Sequence, residues 1–210
     1  MTDNLKKTPL YEDCVKVGGR MVDFHGWLLP VQFASIITEH KAVRENAGMF
    51  DVSHMGEIFF EGKDAYKFLQ YVATNNFTQE ISKGVYTHIL TEEGGIIDDI
   101  IAFCLTPEKF LLVVNSATRE KDYNWFLQKS KGFDVKITDA SDSYAMLALQ
   151  GPKALDILEE LYKDIKNIAR FHIKEEQIFG TNGYITRTGY TGEDGVEIMA
   201  QAESIKIYGQ

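Results

Sequence analysis

Three apolar segments joined by short polar turns constrain the fold of this chain more than any other feature. "VYTHIL" (85–90) leads through a Glu-Glu-Gly-Gly turn into "IIDDIIAFCL" (96–105), and Thr-Pro-Glu-Lys (106–109) leads into "FLLVVN" (110–115). Apolar runs of this length, with turn residues between them, are typical of consecutive antiparallel strands. The middle of the chain therefore predicts a β-meander.

Helical patterns surround this meander. Apolar residues recur at helical spacing in four stretches, namely 35–48, 64–73, 117–132 and 152–162. In the first stretch, Ser35 is the expected cap and Gly48 the expected end. In the third, the expected buried side chains are those of Tyr123, Phe126 and Leu127. The helices are separate from the hairpins and do not alternate regularly with strands.

The last third of the sequence reads as a hairpin followed by a loop. Asn182-Gly183 predicts the turn of the hairpin, and the glycine-rich stretch "RTGYTGEDGVE" (187–197) follows between strands. Together with the meander, this pattern predicts an α+β fold with antiparallel sheets and flanking helices rather than a regularly alternating parallel fold.

Charge and composition argue against several classes of function. A net charge of −9 is unsuitable for binding nucleic acid, which needs a basic surface. The five histidines and two cysteines show no metal-ligand spacing, so we expect neither a metal site nor a disulfide between Cys14 and Cys104. No stretch approaches membrane-spanning length and the N-terminus lacks a leader pattern, which predicts a cytoplasmic protein.

Asp98 and Asp99 stand inside the apolar middle strand, where burying an unpaired carboxylate is costly. Neighbouring side chains of a strand point to opposite faces. Strict alternation puts Ile96 on the face of Asp98, and it puts Ile97 on the face of Asp99. Because both faces are otherwise apolar, periodicity leaves open which carboxylate is buried. It also leaves open whether both stay hydrated beside the preceding glycine turn.

Two further motifs carry polar groups. "DVSHM" (51–55) contains Asp, Ser and His, but consecutive residues cannot form a catalytic triad, so a loop that lines a pocket is the better interpretation. In the stretch 187–197, three glycines allow close backbone approach, while Tyr190 and Glu197 offer a ring and an acceptor. An ordinary glycine-rich turn is the alternative interpretation. A phosphate-binding loop is disfavoured, since no helix with Lys-Ser/Thr follows.

Five stretches in a fixed order resemble the T-protein of the glycine cleavage system, a family of folate-dependent aminomethyltransferases. They are "TPLYEDCVKVGGRMVDFHGWLLPVQF", "FDVSHMGEI", "GGIIDDIIAF", "LALQGPKAL" and "RTGYTGEDGVEI". One such stretch alone would carry little weight, whereas five in order over essentially the whole chain indicate a family.

The resemblance implies an activity and its partners. Tetrahydrofolate is the substrate that accepts a methylene group, and the lipoyl arm of the partner H-protein carries that group as an aminomethyl group on sulfur. Ammonia is released, and no metal takes part. By motif position, Asp99 is the catalytic residue, which faces the folate nitrogens and stabilises developing positive charge. Asp98 then points away from the folate and is structural.

The resemblance also implies the folate-binding residues, which by motif position are Met55, Tyr86, Asp99, Asn115, Tyr190 and Glu197. Two of them, Met55 and Tyr86, pack on the pterin ring. Asn115 lies near the pocket. The carboxylate of Glu197 pairs with the amino-pyrimidine edge of the pterin through two hydrogen bonds.

The family's two interleaved domains are both expected to be incomplete here. Residues 1–50 and 140–210 form the first folate-binding domain, and residues 51–139 form the second, which contains the strand of the catalytic aspartate. A C-terminal β-barrel is expected to be missing, the last helix, "AESIKIYGQ", to be cut short, and these 210 residues alone to be a weak enzyme.

Two related functions are alternatives. One is a folate-binding relative that maintains iron–sulfur proteins, and the other is the folate domain of a sarcosine or dimethylglycine demethylating enzyme. "DVSHM" and "GYTGEDGVE" favour the transferase.

Overall fold

The structure, a computed structural model, describes residues 4–208, and the side chains of residues 4–205. The expected chain end at Gln210 lies outside the described residues. The helices are α1 (Tyr11–Lys16), α2 (Ile36–Glu45), α3 (Ala65–Val72), α4 (Arg119–Lys129), α5 (Ala154–Glu159) and α6 (Ala202–Tyr208). The strands are β1 (Lys6–Lys7), β2 (Met21–Phe24), β3 (Trp27–Pro30), β4 (Gly48–Asp51), β5 (Gly56–Glu61), β6 (Gly84–Leu90), β7 (Ile96–Thr106), β8 (Lys109–Val114), β9 (Lys136–Asp139), β10 (Tyr144–Gln150), β11 (Ile173–Ile178), β12 (Thr181–Thr186) and β13 (Gly195–Gln201).

The chain divides into two compact units. Unit 1 contains the residues up to His54, then Ser143–Arg170 and the residues from Lys174 onward. Unit 2 contains Met55–Asp142 and the short segment Phe171–Ile173. The chain therefore leaves unit 1 and returns to it twice.

Unit 2 is built on one five-stranded sheet in the order β6-β7-β8-β5-β9. Its neighbouring strands run antiparallel, which confirms the predicted β-meander from β6 to β8. Side chains of α3 and α4 pack on one face of this sheet, where the rings of Phe60, Phe68 and Phe126 meet at centroid distances of 5.0 to 5.1 Å. This aromatic cluster packs α3 and α4 against β5.

The middle strand, β7, does not alternate strictly. Ile89 pairs with Asp98, while the residue after Ile89 pairs with Ile96, so Ile97 is an extra residue in a β-bulge. The bulge turns Ile97 into the core on the helix-covered side of the sheet, next to the equally buried Asp98. The prediction that Ile97 shares a face with Asp99 is therefore wrong.

Unit 1 contains a five-stranded sheet in the order β11-β12-β13-β10-β4 and a small sheet in the order β1-β3-β2. The pairs of β10 with β13 and β4, and of β12 with β13, are antiparallel; the two-residue β1 pairs parallel to β3. A separate apolar core joins this sheet to the helices of unit 1. The predicted α+β fold with antiparallel sheets is confirmed.

The hairpin of β11 and β12 turns at Phe179-Gly180 rather than at Asn182-Gly183. Phe179 and Gly180 have φ values of 51° and 79°, the left-handed pair that a type I′ turn requires. Gly183 lies inside β12, where a Cβ atom would come within 2.3 Å of the carbonyl oxygen of Met199. The glycine there serves a close approach between strands, so the predicted turn position is wrong.

The start of α2 is stabilised by a glutamate instead of the predicted serine. The Ser35 side chain makes no capping hydrogen bond. Glu39 Oε1 accepts the N–H groups of Phe33, Ala34 and Ser35 at 2.9, 2.7 and 2.9 Å, which places a negative charge at the positive end of the helix. The helix ends before Gly48, which begins β4, so the predicted helix end is also wrong.

The buried face of α4 differs from the predicted one. Asp122 and Phe126, four residues apart, are fully buried, while Tyr123 is half-buried and Leu127 is exposed. The predicted burial of Phe126 is confirmed and that of Leu127 is wrong, while the carboxyl group of Asp122 is buried although the prediction did not include it. At eleven residues, α4 is the longest described helix, and no helix within residues 4–208 has the length and apolarity to span a membrane.

Candidate functional site

Asp98 and Asp99 lie side by side on β7 in unit 2 and differ in their contact with water. Asp98 is 5% exposed and lies on the side of the sheet that α4 covers. Asp99 is exposed. The sequence left open which carboxylate is buried, and the structure assigns burial to Asp98.

Asn115, which follows β8, contacts both carboxylates. Its backbone N–H donates to Asp98 Oδ2 at 3.0 Å, and its side-chain Nδ2 donates to Asp98 Oδ1 at 2.9 Å. The same Nδ2 also lies 2.9 Å from the carbonyl oxygen of Asp99 and 3.3 Å from Asp99 Oδ1. One amide thus connects the buried carboxylate to the exposed one.

Tyr86 on β6 supplies the second donor to Asp99. Its hydroxyl donates to Asp99 Oδ2 at 3.0 Å, and this hydrogen bond raises the pKa of Tyr86, so the phenol keeps its proton. Each carboxylate oxygen of Asp99 therefore faces a donor, one from Tyr86 and one from Asn115. The resemblance implied only a packing role for Tyr86 and did not indicate this hydrogen bond.

Asp122 on α4 is a further acid of this group that the sequence reading missed. It is 0% exposed, and burial, followed by the charge of Asp98 and a hydrogen bond to it, raises the pKa of Asp122 to about 8. The available signal was its spacing of four residues from Phe126, which puts both on one helix face. We call Tyr86, Asp98, Asp99, Asn115 and Asp122 the carboxylate network.

Met55 stands beside this network in the strand pairing. It is half-buried and directly precedes Gly56, which pairs with Val114 at the end of β8. Because the two strands are antiparallel, the next residues in the register are Met55 and Asn115. Unit 2 therefore brings four of the predicted site residues to one end of its sheet, namely Met55, Tyr86, Asp99 and Asn115.

Glu57, two residues after Met55, is a second unanticipated acid of unit 2. It is 2% exposed, and its Oε2 has no hydrogen-bond partner among the described residues. Burial raises its pKa to about 8 despite the nearby Arg119 guanidinium, which lowers it. Arg119 itself is held by Asp139, whose Oδ2 lies 2.8 Å from Arg119 Nε.

Glu197 on β13 is the buried acid of unit 1. It is 6% exposed and accepts a hydrogen bond from the hydroxyl of Thr188, which lies 2.6 Å from the hydroxyl of Thr186. Burial raises the pKa of Glu197, while the two hydroxyls lower it. Within residues 4–205, no Lys or Arg forms an ion pair with this carboxylate.

The glycine-rich loop between β12 and β13 packs on the buried side chain of Gln150. Gln150 Nε2 donates to the carbonyl oxygens of Thr188 and Val196 at 3.0 and 3.2 Å, and Oε1 accepts from the Thr191 hydroxyl at 2.9 Å. A Cβ atom on Gly189 would lie 2.1 Å from Gln150 Oε1. Only glycine permits this close approach.

Ion pairs hold the same loop in place. Arg187 donates to both carboxylate oxygens of Asp194 at 3.0 and 2.5 Å, and Arg44 contacts Glu193 at 2.6 Å. Tyr190 is 72% exposed between these anchors. We call Gln150, Thr188, Gly189, Tyr190 and Glu197 the glycine-loop site; it contains the two predicted site residues of unit 1.

The motif "DVSHM" does not contain a hydrolytic triad. The Ser53 hydroxyl is engaged with the backbone of Met146, at 3.2 Å to its carbonyl oxygen and 3.0 Å to its nitrogen. Asp51 accepts from the Thr8 hydroxyl at 2.6 Å and from the Ser53 backbone at 3.0 Å. In residues 4–205, no three His, Cys, Asp or Glu side chains are grouped as metal ligands.

Comparison with known sequences identifies close relatives. The family described as GCVT N-terminal domain matches residues 10–208. The chain is 48% identical over 208 residues to an aminomethyltransferase of Staphylococcus carnosus and 46% identical over 209 residues to one of Staphylococcus epidermidis. Each match covers 98% of this chain but 57% and 58% of the relatives, so the chain spans little more than half of their length.

Comparison with solved structures agrees with the sequence relatives. The fold is similar to glycine cleavage system aminomethyltransferase T from Bartonella henselae, with a TM-score of 0.90, 33% identity, and coverage of 97% of this chain and 55% of the other. It is also similar to heterotetrameric sarcosine oxidase from Corynebacterium sp. U-96, with a TM-score of 0.60, 13% identity, and coverage of 82% and 88%. At 13% identity, the similarity to sarcosine oxidase concerns the fold alone.

Proposed function

Because this chain belongs to the family of the GCVT N-terminal domain, we propose that it acts in the aminomethyltransferase reaction of the glycine cleavage system. In this reaction the methylene carbon of the aminomethyl group on the lipoyl arm of H-protein passes to tetrahydrofolate. The carbon–sulfur and carbon–nitrogen bonds to that carbon break, ammonia leaves, and the dihydrolipoyl arm is returned to H-protein.

The observation that carries this proposal is the exposed carboxylate of Asp99, fixed by Tyr86 and Asn115. The folate forms two bonds to the carbon, one from N5 of the pterin ring and one from N10 next to that ring, and the two protons displaced from these nitrogens complete the ammonia and the dihydrolipoyl thiol. Departure of the lipoyl sulfur from the aminomethyl carbon leaves positive charge on the carbon–nitrogen unit, and ammonia leaves once a folate nitrogen has bonded to that carbon. The exposed carboxylate of Asp99 can stabilise this charge, because its two donors hold it in one orientation before the reaction begins. Such preorganised charge stabilises a transition state better than mobile water does.

Glu197 fits the donor edge of a pterin. Its carboxylate is buried, and the donors it has in unit 1 are hydroxyl groups. A planar ligand edge with two N–H donors would supply charge-assisted hydrogen bonds that offset the burial. The exposed ring of Tyr190, on a loop held by ion pairs, offers a stacking surface for the same ligand. In unit 2, we assign Met55 and Tyr86 to packing on the pterin ring and Asn115 to folate binding.

The partners follow from the reaction. We propose the lipoylated H-protein as donor, tetrahydrofolate as acceptor, and the cytoplasm as the location. No nucleic acid, membrane or metal is needed for any step.

An aminomethyl-transfer assay tests the proposal. The complete protein would be mixed with aminomethyl-loaded H-protein, and ammonia and methylenetetrahydrofolate would be measured with and without tetrahydrofolate. We expect both products to form in equal amounts and only when all three components are present. Folate-independent ammonia release, or methylene formation from sarcosine in place of loaded H-protein, would contradict the proposal.

A further inference from the structure

Asp122 is a fully buried carboxyl group with the Thr118 hydroxyl beside it, which lowers its pKa. Neither of its oxygens receives a hydrogen bond from the residues whose side chains are described. The nearby hydroxyl of Thr118 donates to the carbonyl oxygen of Asn115 at 3.1 Å. Burial, then the charge of the Asp98 carboxylate and a hydrogen bond to it, raise the pKa of Asp122. Two neighbouring ionised carboxylates repel each other strongly in a dry environment, so one of the pair carries a proton.

The surrounding hydrogen bonds decide which acid carries it. Both oxygens of Asp98 face N–H donors of Asn115, at 2.9 and 3.0 Å, as an ionised carboxylate requires. Within residues 4–205, no N–H group donates to Asp122, which is fully buried, and the Thr118 hydroxyl beside it donates to the carbonyl oxygen of Asn115. A carboxyl group in that position is satisfied by donating, and Asp98 is the acceptor. The raised pKa of Asp122, about 8, agrees with this assignment.

We propose that Asp122 is a positioning residue that acts on Asp99 through a chain of hydrogen bonds. The protonated carboxyl group of Asp122 donates to Asp98, and Asp98 holds both N–H groups of Asn115. Asn115 in turn donates to Asp99. The importance of Asp99 in this inference rests on the proposed function, whereas the chain of hydrogen bonds can be tested without it.

The proton on Asp122 allows a carboxylate to stay ionised in the core of unit 2. Without it, Asp98 would lose its third partner, and the amide of Asn115 would no longer have a fixed acceptor. Asp99 is exposed and has two side-chain donors among residues 4–205, so losing one frees its side chain to rotate. Misplacing a catalytic group by 1 Å can cost about 10²-fold in rate.

Two substitutions test whether Asp122 acts as a hydrogen-bond donor to Asp98. In Asp122→Asn, an amide N–H replaces the carboxyl O–H as donor to Asp98, and we expect kcat to stay within roughly threefold of the wild type. In Asp122→Ala, the donor is absent, and we expect kcat to fall about 10- to 100-fold while KM for tetrahydrofolate changes less. Glu120→Gln, an exposed change on the same helix, is the matched control and should have no effect.

Two spectroscopic measurements on the complete protein need neither folate nor turnover. The infrared difference between wild type and Asp122→Asn at neutral pH should contain the C=O band of a protonated carboxylic acid. In NMR, the side-chain amide protons of Asn115 should be protected from exchange in the wild type and in Asp122→Asn, and they should lose protection in Asp122→Ala.

These measurements distinguish a failure of the inference about Asp122 from a failure of the proposed function. If the carboxylic band is missing, or if Asn115 stays protected in Asp122→Ala, the inference fails whatever the activity is. If Asp122→Ala folds and keeps full turnover, Asp122 is not a positioning residue. If the spectra are as expected but the wild type shows no folate-dependent transfer, the proposed function fails while the hydrogen-bond chain stands.

Discussion

The carboxylate network of unit 2 and the glycine-loop site of unit 1 each present an acid, and they treat its charge in opposite ways. Asp99 is exposed, and neutral donors from Tyr86 and Asn115 fix both of its oxygens. Glu197 is 6% exposed and is hydrogen-bonded by Thr188, a hydroxyl that compensates burial only in part. In the carboxylate network, the protein's donors hold Asp99 in one orientation. In the glycine-loop site, the buried carboxylate of Glu197 has fewer donors than it can accept.

This difference assigns different roles to the two acids. A buried acceptor that lacks strong donors gains most from a ligand that brings them, so Glu197 should contribute mainly to ground-state binding. A hydrated carboxylate gains little when a neutral ligand arrives, because water already solvates it. Its fixed orientation becomes valuable when positive charge develops, so Asp99 should contribute mainly to the transition state.

The largest expected effect comes from Asp99→Asn. The change keeps the shape and some hydrogen bonding but removes the charge that opposes the developing cation. Deleting a preorganised electrostatic group typically lowers kcat by about 10²-fold or more. Affinity for tetrahydrofolate should fall far less. Steady-state kinetics with loaded H-protein at saturating folate, together with calorimetric titration of folate, would measure both quantities.

Asp134→Asn, an exposed change in the same unit, is the control for Asp99→Asn and should leave kcat unchanged. Equal losses of affinity and kcat in Asp99→Asn would erase the contrast between the two acids.

Glu197→Ala should show the reverse pattern. A hydrogen bond to a charged group contributes about 1.5 to 3 kcal/mol, so the loss of even one of the two bonds to the carboxylate should weaken tetrahydrofolate binding by roughly 10- to 100-fold. At saturating folate, kcat should change by only a few-fold. Calorimetry on the complete protein would measure the affinity, with the exposed Glu175→Ala of the same sheet as control. An unchanged dissociation constant would remove Glu197 from the binding site.

Motif order was enough to select Tyr86, Asp99 and Asn115, and these three share hydrogen bonds in the structure. It could not reveal Asp122, because a charged residue on a helix normally marks the solvated face. The periodicity of β7 failed at Ile97 because a bulge depends on the partner strand, which a single strand's sequence does not contain. In the same way, the Asn182-Gly183 signal is local, whereas the close approach of Met199 to Gly183 comes from the neighbouring strand.

A third test compares the buried acids through the pH dependence of stability. Glu57 and Asp122 have folded-state pKa values of about 8, far above the values near 4 of exposed carboxyls. Between these values the folded state holds the extra proton, so the stability contributed by each group is complete below about pH 4 and is lost as pH rises toward 8. The slope is at most about 1.4 kcal/mol per pH unit for each group.

Glu57→Gln stays neutral at every pH and removes one of these contributions. The melting temperature of the variant should therefore rise relative to the wild type as pH increases from 5 to 8. The exposed Glu108→Gln serves as control and should follow the wild type. A constant difference between Glu57→Gln and the wild type across this range would mean that Glu57 is ionised in the folded protein.

The smallest expected effect tests whether the glycine-loop site owes its affinity to the fit of its backbone on Gln150. Gly180 and Gly189 both have positive φ values, 79° and 155°, so alanine strains the backbone at each position. At Gly180 a Cβ atom meets nothing within 4 Å, whereas at Gly189 it would overlap the amide of Gln150, at 2.1 Å from Oε1. Gly189→Ala must therefore displace the loop that carries Tyr190.

We expect Gly189→Ala to weaken tetrahydrofolate binding by about threefold to tenfold, a cost of roughly 1 kcal/mol, while Gly180→Ala lowers the melting temperature without changing affinity. Because Asp99 lies in unit 2, kcat at saturating folate should be the same in both variants. Equal affinities in the two variants would show that the loop contributes through Glu197 alone, and a fall in kcat in Gly189→Ala would show that binding and catalysis are not divided between the two acids as their burial indicates.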